Sequence, residues 1–153
     1  MAAYFTSPKS SGFQVQSYAA SLFANTLGTT IRANSTATWR ASCAIPREAN
    51  LLFAVSHMHS HATHFIARTN TGQVIYETTQ WDEPTAAAFQ PSPGATLPPL
   101  KIAAGSTINY ECQYNNTSSA SLTFCESAKT CEMCILTARY FPAPDGQAIS
   151  CLY

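Results

Sequence analysis

One central stretch of the chain decides the fold, and it reads LLFAVSHMHSHATHFIARTN, residues 51–70. Its two arms, Leu51–Met58 and Thr63–Asn70, are rich in the β-branched and aromatic residues that favour strands. All four histidines of the protein lie around the junction of these arms: His57, His59, His61 and His64. The stretch therefore predicts two strands with a histidine-rich segment where they meet.

Three of these histidines fall at alternate positions of the sequence. Successive side chains of an extended strand point to opposite faces, so His57, His59 and His61 would project from one face. Neutral imidazole is the commonest protein ligand for metals, and three of them on one face predict a metal site. A half-exposed polar strand, whose histidines bond only to their neighbours, is the alternative interpretation.

Similar segments recur along the chain at short intervals, separated by Gly, Pro, Asn and Ser. This spacing is typical of an all-β sandwich. The other predicted strands are Gly12–Tyr18, Thr30–Trp39, Gln73–Glu77, Thr107–Tyr114, Ser121–Phe124, Met133–Tyr140 and Ala148–Leu152. Asn70-Thr71-Gly72 is typical of a hairpin turn. Only Ala19–Asn25 is predicted as a short helix.

The segment from Trp81 to Leu100 contains five prolines and few strand signals. Because proline removes a backbone donor, we expect an ordered surface excursion here rather than a strand of a sheet. The chain has no internal repeat and no convincing linker. Its 153 residues therefore predict one domain, residues 1–153.

Charge and hydropathy exclude two classes of partner. Eight Lys and Arg balance eight Asp and Glu, so no basic stripe is available for nucleic acid or for an anionic membrane surface. No apolar run approaches the roughly 20 residues that a membrane-spanning helix needs. The six cysteines, an even number, favour disulfides and an extracytoplasmic location, either periplasmic or secreted.

Cys131-Glu-Met-Cys134 has the spacing of a zinc knuckle or of a redox-active cysteine pair. The second pair that a zinc ribbon needs is missing, so disulfides are the favoured interpretation. Met133 within this motif carries a thioether, a soft donor that binds Cu(I) well and zinc, calcium or magnesium poorly. Two imidazoles together with Met133 would indicate copper, whereas Met133 taken alone would be core filler.

Five motifs then follow one another in a fixed order: Cys43-Ala-Ile-Pro46, Ser56-His-Met-His59, Tyr76-Glu-Thr-Thr-Gln-Trp81, Tyr110-Glu-Cys-Gln-Tyr-Asn115 and Ala128-Lys-Thr-Cys-Glu-Met-Cys134. Together they resemble the C-terminal, catalytic copper domain of the copper type II ascorbate-dependent monooxygenases. The family includes the peptidylglycine hydroxylating enzyme, dopamine β-monooxygenase and bacterial relatives. The resemblance covers about residues 43–151 and implies a disulfide-stapled, antiparallel β-sandwich of jelly-roll type.

The resemblance also implies one copper ion, held by a His-x-His pair and by a distant methionine that precedes a disulfide cysteine. Met133 matches that methionine. The family usually has Gly three residues after its second histidine ligand, which favours His57 and His59 as the pair and leaves His61 as the alternative ligand. His61 and His64 depart from the family pattern, and either could add a fourth ligand or a second site.

On the same comparison, the resemblance implies three disulfides. The expected pairs are Cys43–Cys151, Cys112–Cys134 and Cys125–Cys131. The first two correspond to bridges of the family, and the third joins the two remaining cysteines across the short loop that leads to Met133.

The activity implied by the resemblance is oxidoreductase chemistry: C–H hydroxylation, or activation of oxygen or peroxide. The family's second copper domain, with three histidines of its own, is absent, and residues 1–42 contain no histidine. Electrons would then come from ascorbate or from a partner protein or domain. Peptide-amidating members grip a peptide carboxylate with an Arg and a Tyr, and Val55 and Thr137 stand at those positions here. The substrate, a small molecule or a peptide, is thus not specified.

Two other classes of function stay open. One is a copper module that stores, senses or delivers the metal without turnover. The other is a structural domain with a vestigial site, and the intact set of His57, His59 and Met133 argues against it.

Overall fold

The computed structural model describes residues 4–9, 12–18, 20–27, 30–89, 100–143 and 146–153. Within these ranges the chain forms strands and no helix. The strands are β1 Tyr4–Lys9, β2 Gly12–Tyr18, β3 Ala20–Asn25, β4 Thr30–Ile31, β5 Ser35–Ala44, β6 Ala49–His57, β7 Ala62–Thr69, β8 Val74–Thr78, β9 Ala87–Ala88, β10 Leu100–Ile102, β11 Thr107–Asn116, β12 Leu122–Thr123, β13 Ile135–Phe141 and β14 Ile149–Leu152.

Two sheets form the body of the fold. One has the strand order β10-β6-β13-β3-β14, with β9 added to β6, and the other has the order β5-β11-β7-β8. Neighbouring named strands are antiparallel except β14 and β3, which run parallel. Two small ribbons, β1-β2 and β12-β4, complete the described structure. The prediction of an all-β, mainly antiparallel sandwich is confirmed.

The core lies between the two sheets because each strand turns alternate apolar residues inward. In β11, Ile108, Tyr110, Cys112 and Tyr114 are buried, while the intervening residues are more exposed. β6 and β13 contribute Leu51 and Leu136 from the facing sheet, both almost completely buried. The inner faces therefore form one continuous apolar core.

Three disulfides staple this sandwich, and they are the three pairs that the family resemblance implies. Cys43–Cys151 joins β5 to β14, and Cys112–Cys134 joins β11 to the residue before β13. Both bridges cross from one sheet to the other. Cys125–Cys131 closes a loop with a sequence separation of only 6 residues.

The predicted helix at Ala19–Asn25 is wrong in the part of it that the structure describes, since β3 runs from Ala20 to Asn25 and pairs with both β13 and β14. Leu22 and Ala24 are completely buried, whereas Ser21 and Phe23 are half-buried. This period of two fits a strand inside the sheet. Tertiary pairing on both edges outweighs the weak local preference of a short Ala-rich segment.

The remaining strand boundaries differ mainly at turns. The predicted strand Thr30–Trp39 is split into β4 and β5 at a turn where Asn34 has a φ of 49°, a left-handed conformation that Asn tolerates. The predicted hairpin turn at Asn70–Gly72 is confirmed between β7 and β8, with Gly72 at a φ of 88°.

The segment Trp81–Leu100 is only partly described, because residues 90–99 and four of its five prolines lie outside the described ranges. The expectation that this segment contains no strand of a sheet is wrong in its described parts. β9 pairs with β6 at Phe53 and Ala54, and Leu100 begins β10. Trp81 and Phe89 pack half-buried against the core.

Candidate metal centre

The histidine-rich segment leaves the sheet immediately after His57, the last residue of β6. Met58 is buried, and Ala62 donates a backbone hydrogen bond to the carbonyl of His59 at 3.0 Å, which closes a turn before β7. The expectation that His57, His59 and His61 share one face of an extended strand is therefore wrong. The alternation ends because the chain reverses direction between His59 and Ala62.

His57 and His59 nevertheless lie side by side. Their ring centroids are 5.2 Å apart and their planes are nearly perpendicular, at 88°. Two imidazoles that bind one ion through nitrogens about 2.0–2.1 Å away, at a near-tetrahedral angle, have centroids about 5 Å apart. His57 is exposed, whereas His59 is only 2% exposed, so one ring faces solvent and the other lies inside. The spacing of the pair fits two ligands of one metal ion.

The ring of His59 is oriented by the backbone carbonyl of Cys131, which lies 3.1 Å from Nδ1. A carbonyl oxygen can only accept, so Nδ1 carries the proton and Nε2 keeps its lone pair. The part of the chain that the structure describes offers Nε2 no hydrogen-bond partner. Such outer hydrogen bonds on one ring nitrogen typically orient a histidine whose other nitrogen binds a metal.

The surroundings of His57 favour its neutral form. Partial burial lowers the pKa of His57, and the neighbouring His59 lowers it further. Because a metal binds the unprotonated imidazole, a lowered pKa favours the ligand form at neutral pH.

Glu132 is the residue of this region that the sequence analysis missed. Its side chain is fully buried, and its two oxygens accept the backbone N–H groups of His59 at 3.0 Å and of His61 at 2.7 Å. Burial raises the pKa of Glu132, and these two hydrogen bonds oppose the rise. The sequence shows only that an acidic residue lies between Cys131 and Met133, and this position does not indicate that its side chain is buried.

Met133 follows Glu132 and is 8% exposed. Its backbone carbonyl accepts a hydrogen bond of 2.8 Å from the hydroxyl of Tyr114, whose pKa is raised by burial and, to a lesser extent, by Glu132. Met133 lies two residues before Ile135, which pairs with His57 across strands β13 and β6. The segment 131–134 therefore lies directly against the segment of His57 and His59.

Two disulfides flank Met133. Cys112–Cys134 anchors the next residue to β11, and Cys125–Cys131 closes the loop that precedes it. The parallel bridge between Phe124 and Glu132 adds a further backbone connection. The chain around Met133 is thus held on both sides by covalent bonds.

The other two histidines have partners of their own. His61 Nε2 lies 3.3 Å from the carbonyl of Lys129, and His64 Nε2 lies 2.9 Å from Glu77 Oε1 across β7 and β8. Among the described residues, no three His, Cys, Asp or Glu side chains gather into a group that could hold a metal ion.

Comparison with known proteins adds the family. The model of the copper type II ascorbate-dependent monooxygenase C-terminal domain matches residues 19–152. The chain belongs to this family. No individual curated protein matches it at a significant level.

Membership of the copper type II ascorbate-dependent monooxygenases implies copper binding, with ascorbate as the electron donor. The match begins earlier than the resemblance at Cys43 and includes β3, in agreement with the place of β3 inside the sheet. The three disulfides of this copper domain indicate an extracytoplasmic location. No helix in the described part of the chain is long and apolar enough to cross a membrane.

Proposed function

We propose that His57, His59 and Met133 hold one copper ion, and that the domain takes part in the oxidation of a substrate C–H bond. The proposal rests above all on the pairing of the two imidazoles, 5.2 Å apart and nearly perpendicular, in a chain of the copper monooxygenase family. The single domain predicted for residues 1–153 is part of this proposal, and the family match over residues 19–152 supports it.

The donor set fits copper. The imidazoles of His57 and His59 are donors of intermediate softness, suited to both Cu(II) and Cu(I). A thioether is a soft donor that favours Cu(I). Met133 is a thioether on the segment that contacts the histidine pair.

The surrounding residues act on the ligands rather than on a substrate. The carbonyl of Cys131 holds the tautomer of His59 that leaves Nε2 unprotonated, and the carboxylate of Glu132 fixes the backbone from His59 to His61. Tyr114 fixes the carbonyl of Met133. Such support keeps the ligands in place while an ion changes its oxidation state.

When bound, copper would supply one-electron redox chemistry with dioxygen. In a monooxygenase reaction one oxygen atom enters a substrate C–H bond and the other leaves as water, with the consumption of two protons and two electrons. Ascorbate would supply both electrons, directly or through a partner protein or domain. The lowered pKa of His57 favours the neutral imidazole, which is the form that binds a metal.

Oxygen consumption tests the activity. The copper-loaded protein, supplied with ascorbate and a substrate that has activated C–H bonds, should consume oxygen and form a hydroxylated product in equal amounts. The His57→Ala variant should consume oxygen no faster than ascorbate with free copper. Tight Cu(I) binding without product would instead assign the alternative function, a module that stores, senses or delivers copper.

A further inference from the structure

The outer face of the six-stranded sheet begins at His57 and runs along β6, β13 and β3. Strand register defines its rows, which read, away from the metal centre, His57–Ile135–Asn25, Val55–Thr137–Phe23 and Phe53–Arg139–Ser21. The residues between these rows, such as Leu136 and Ala138, are buried in the core. The three rows, called here the His57 face, lie on the opposite side of the sheet, where Ile135 and Asn25 of the first row are buried and the residues of the other two rows are half-buried.

The His57 face combines the apolar residues Val55, Phe23 and Phe53 with the polar residues Thr137 and Ser21. Val55, Phe23 and Phe53 are each only half-buried, although their position on the outer side would normally carry polar residues. Leu152, at the β14 end of the first row, is 59% exposed. Half-buried apolar side chains of this kind beside a proposed reaction centre are typical of a surface that receives an apolar group.

Arg139 supplies the one charged side chain in these three rows. It is half-buried, no acidic residue lies in the rows, and the described residues offer its guanidinium no carboxylate or hydrogen-bond partner. Arg40, on the other sheet, shows the contrast, because its Nε bonds to Glu111 Oε2 at 2.8 Å. Arg139 lies four residues along the strand from Ile135, a distance of about 13 Å.

We propose that the His57 face binds a substrate with an extended apolar chain and a terminal carboxylate, of about the length of decanoate. The carboxylate pairs with the guanidinium of Arg139, and the alkyl chain runs past Thr137 and Val55 to end beside His57. Phe23 flanks this path on β3. By the family resemblance, Val55 and Thr137 correspond to the positions at which peptide-amidating members carry an Arg and a Tyr that bind a carboxylate, and neither can bind a carboxylate by charge. The anion is therefore held farther from the metal in this chain.

The oxidation of the far end of the alkyl chain rests on the proposed function, but binding of the substrate itself needs no copper. The first experiment is calorimetry on the metal-free protein with decanoate, decanol and decylammonium. Decanoate should bind most tightly and decylammonium least. Equal binding of all three, or no binding of decanoate, would overturn the proposal.

Variants locate the site. Arg139→Gln should weaken decanoate binding by about tenfold or more, because a charge-assisted bidentate pair is lost, and should leave decanol binding unchanged. Arg139→Lys should retain part of the affinity. Arg68→Gln removes an exposed arginine from the outer face of the other sheet and serves as the matched control, with no expected effect. An equal loss in both arginine-to-glutamine variants would show nonspecific charge attraction and overturn the proposal.

Val55→Asp provides a second test that does not depend on Arg139. A carboxylate in the middle row should weaken both decanoate and decanol, since both chains cross this position. Unchanged binding of either ligand would contradict the proposed path along the face. Circular dichroism of each variant shows whether the fold is intact.

Orientation is tested with Cu(II) as a paramagnetic probe. The terminal methyl protons of bound decanoate should be broadened more strongly than the protons next to its carboxylate, and the reverse order would overturn the proposal. If Cu(II) does not bind while decanoate still binds the metal-free protein, the copper site is refuted and the binding face is retained. The two failures are thus distinguishable.

Discussion

The buried carboxylate of Glu132 accepts the backbone N–H of His59 at 3.0 Å. With its other oxygen the same side chain accepts the N–H of His61, so one residue fixes the turn that carries the proposed ligand His59. Glu132 also directly precedes Met133, the proposed third ligand. A single buried acid thereby connects the two segments that carry the proposed ligands.

Replacement of Glu132 by Gln should destabilise this junction. One amide oxygen can still accept, but the amide NH₂ would face a backbone N–H donor, and an unsatisfied buried donor costs about 1–3 kcal/mol. Urea denaturation of the metal-free protein measures this loss. Glu126→Gln, at an exposed position of the adjacent loop, is the control and should change the stability little. Equal stability of both variants would show that the carboxylate does not hold the turn.

Met133→Leu should preserve the fold and reduce the affinity for Cu(I) more than that for Cu(II), because only the soft thioether is lost. The affinity for Cu(I) should fall at least as much as it does when a residue that hydrogen-bonds to a metal ligand is removed, which is about 10–100-fold. Competition with a Cu(I) chelator measures it. Met58→Leu is the matched control, since Met58 is also buried and lies beside His57. Equal effects of the two substitutions would argue against Met133 as a ligand.

Separate substitutions of the histidines should identify the ligand pair. His57→Gln should abolish tight copper binding, whereas His61→Gln should leave most of it, because Nε2 of His61 already faces the carbonyl of Lys129. His64→Gln, which removes the contact with Glu77, should have no effect on copper. Copper titration followed by electron paramagnetic resonance makes the comparison. Loss of the site in His61→Gln alone would transfer the ligand role to His61.

Two of the three disulfides should differ in their roles. Cys43–Cys151 should stabilise the fold, and Cys125–Cys131 should support the site. Replacement of both Cys43 and Cys151 by Ser removes a bridge with a sequence separation of 108 residues and should cost about 4–5 kcal/mol. The same change at Cys125 and Cys131, with a separation of 6 residues, should cost about 2 kcal/mol and lower the affinity for Cu(I). Thermal unfolding and chelator competition separate the two effects. A short bridge whose loss leaves copper affinity unchanged would have no role in holding the site.

A pH titration tests the outer face of the four-stranded sheet. The side-chain amide of Gln113 donates a hydrogen bond to Glu111 Oε1 at 3.0 Å. This bond is the largest single cause of the lowered pKa of Glu111, and Arg40 lowers the pKa further. The stability that this interaction adds is present above the ordinary carboxyl pKa and is lost as pH falls through the lowered one. Gln113→Ala should raise the pKa of Glu111 toward its usual value, as measured by carbon-detected nuclear magnetic resonance. An unchanged pKa would assign the shift to Arg40.

Much of the fold could be predicted from the sequence because strands with one buried face carry a period of two. The central arms around the histidines and the hairpin at Gly72 follow from local pattern and turn chemistry. β3 could not be predicted, since Ala20–Asn25 has weak local preference and becomes a strand only by pairing with β13 and β14. The place of this segment is decided by contacts distant in sequence.

The candidate site could be predicted in its residue types but not in its geometry. Alternation placed His57, His59 and His61 on one strand, whereas β6 ends at His57 and the chain turns after His59. Only the rings of His57 and His59 lie side by side, with centroids 5.2 Å apart. The buried role of Glu132 depends on the same turn, and a single sequence does not reveal it. The ligand set itself stays a prediction.

X-ray absorption spectroscopy at the copper edge of the Cu(I)-loaded protein is the most direct measurement of the central claim. We expect two imidazole nitrogens and one sulfur as nearest neighbours, with the sulfur signal lost in Met133→Leu and retained in Met58→Leu. A copper ion surrounded by nitrogens alone, or a sulfur signal that survives in Met133→Leu, would contradict it.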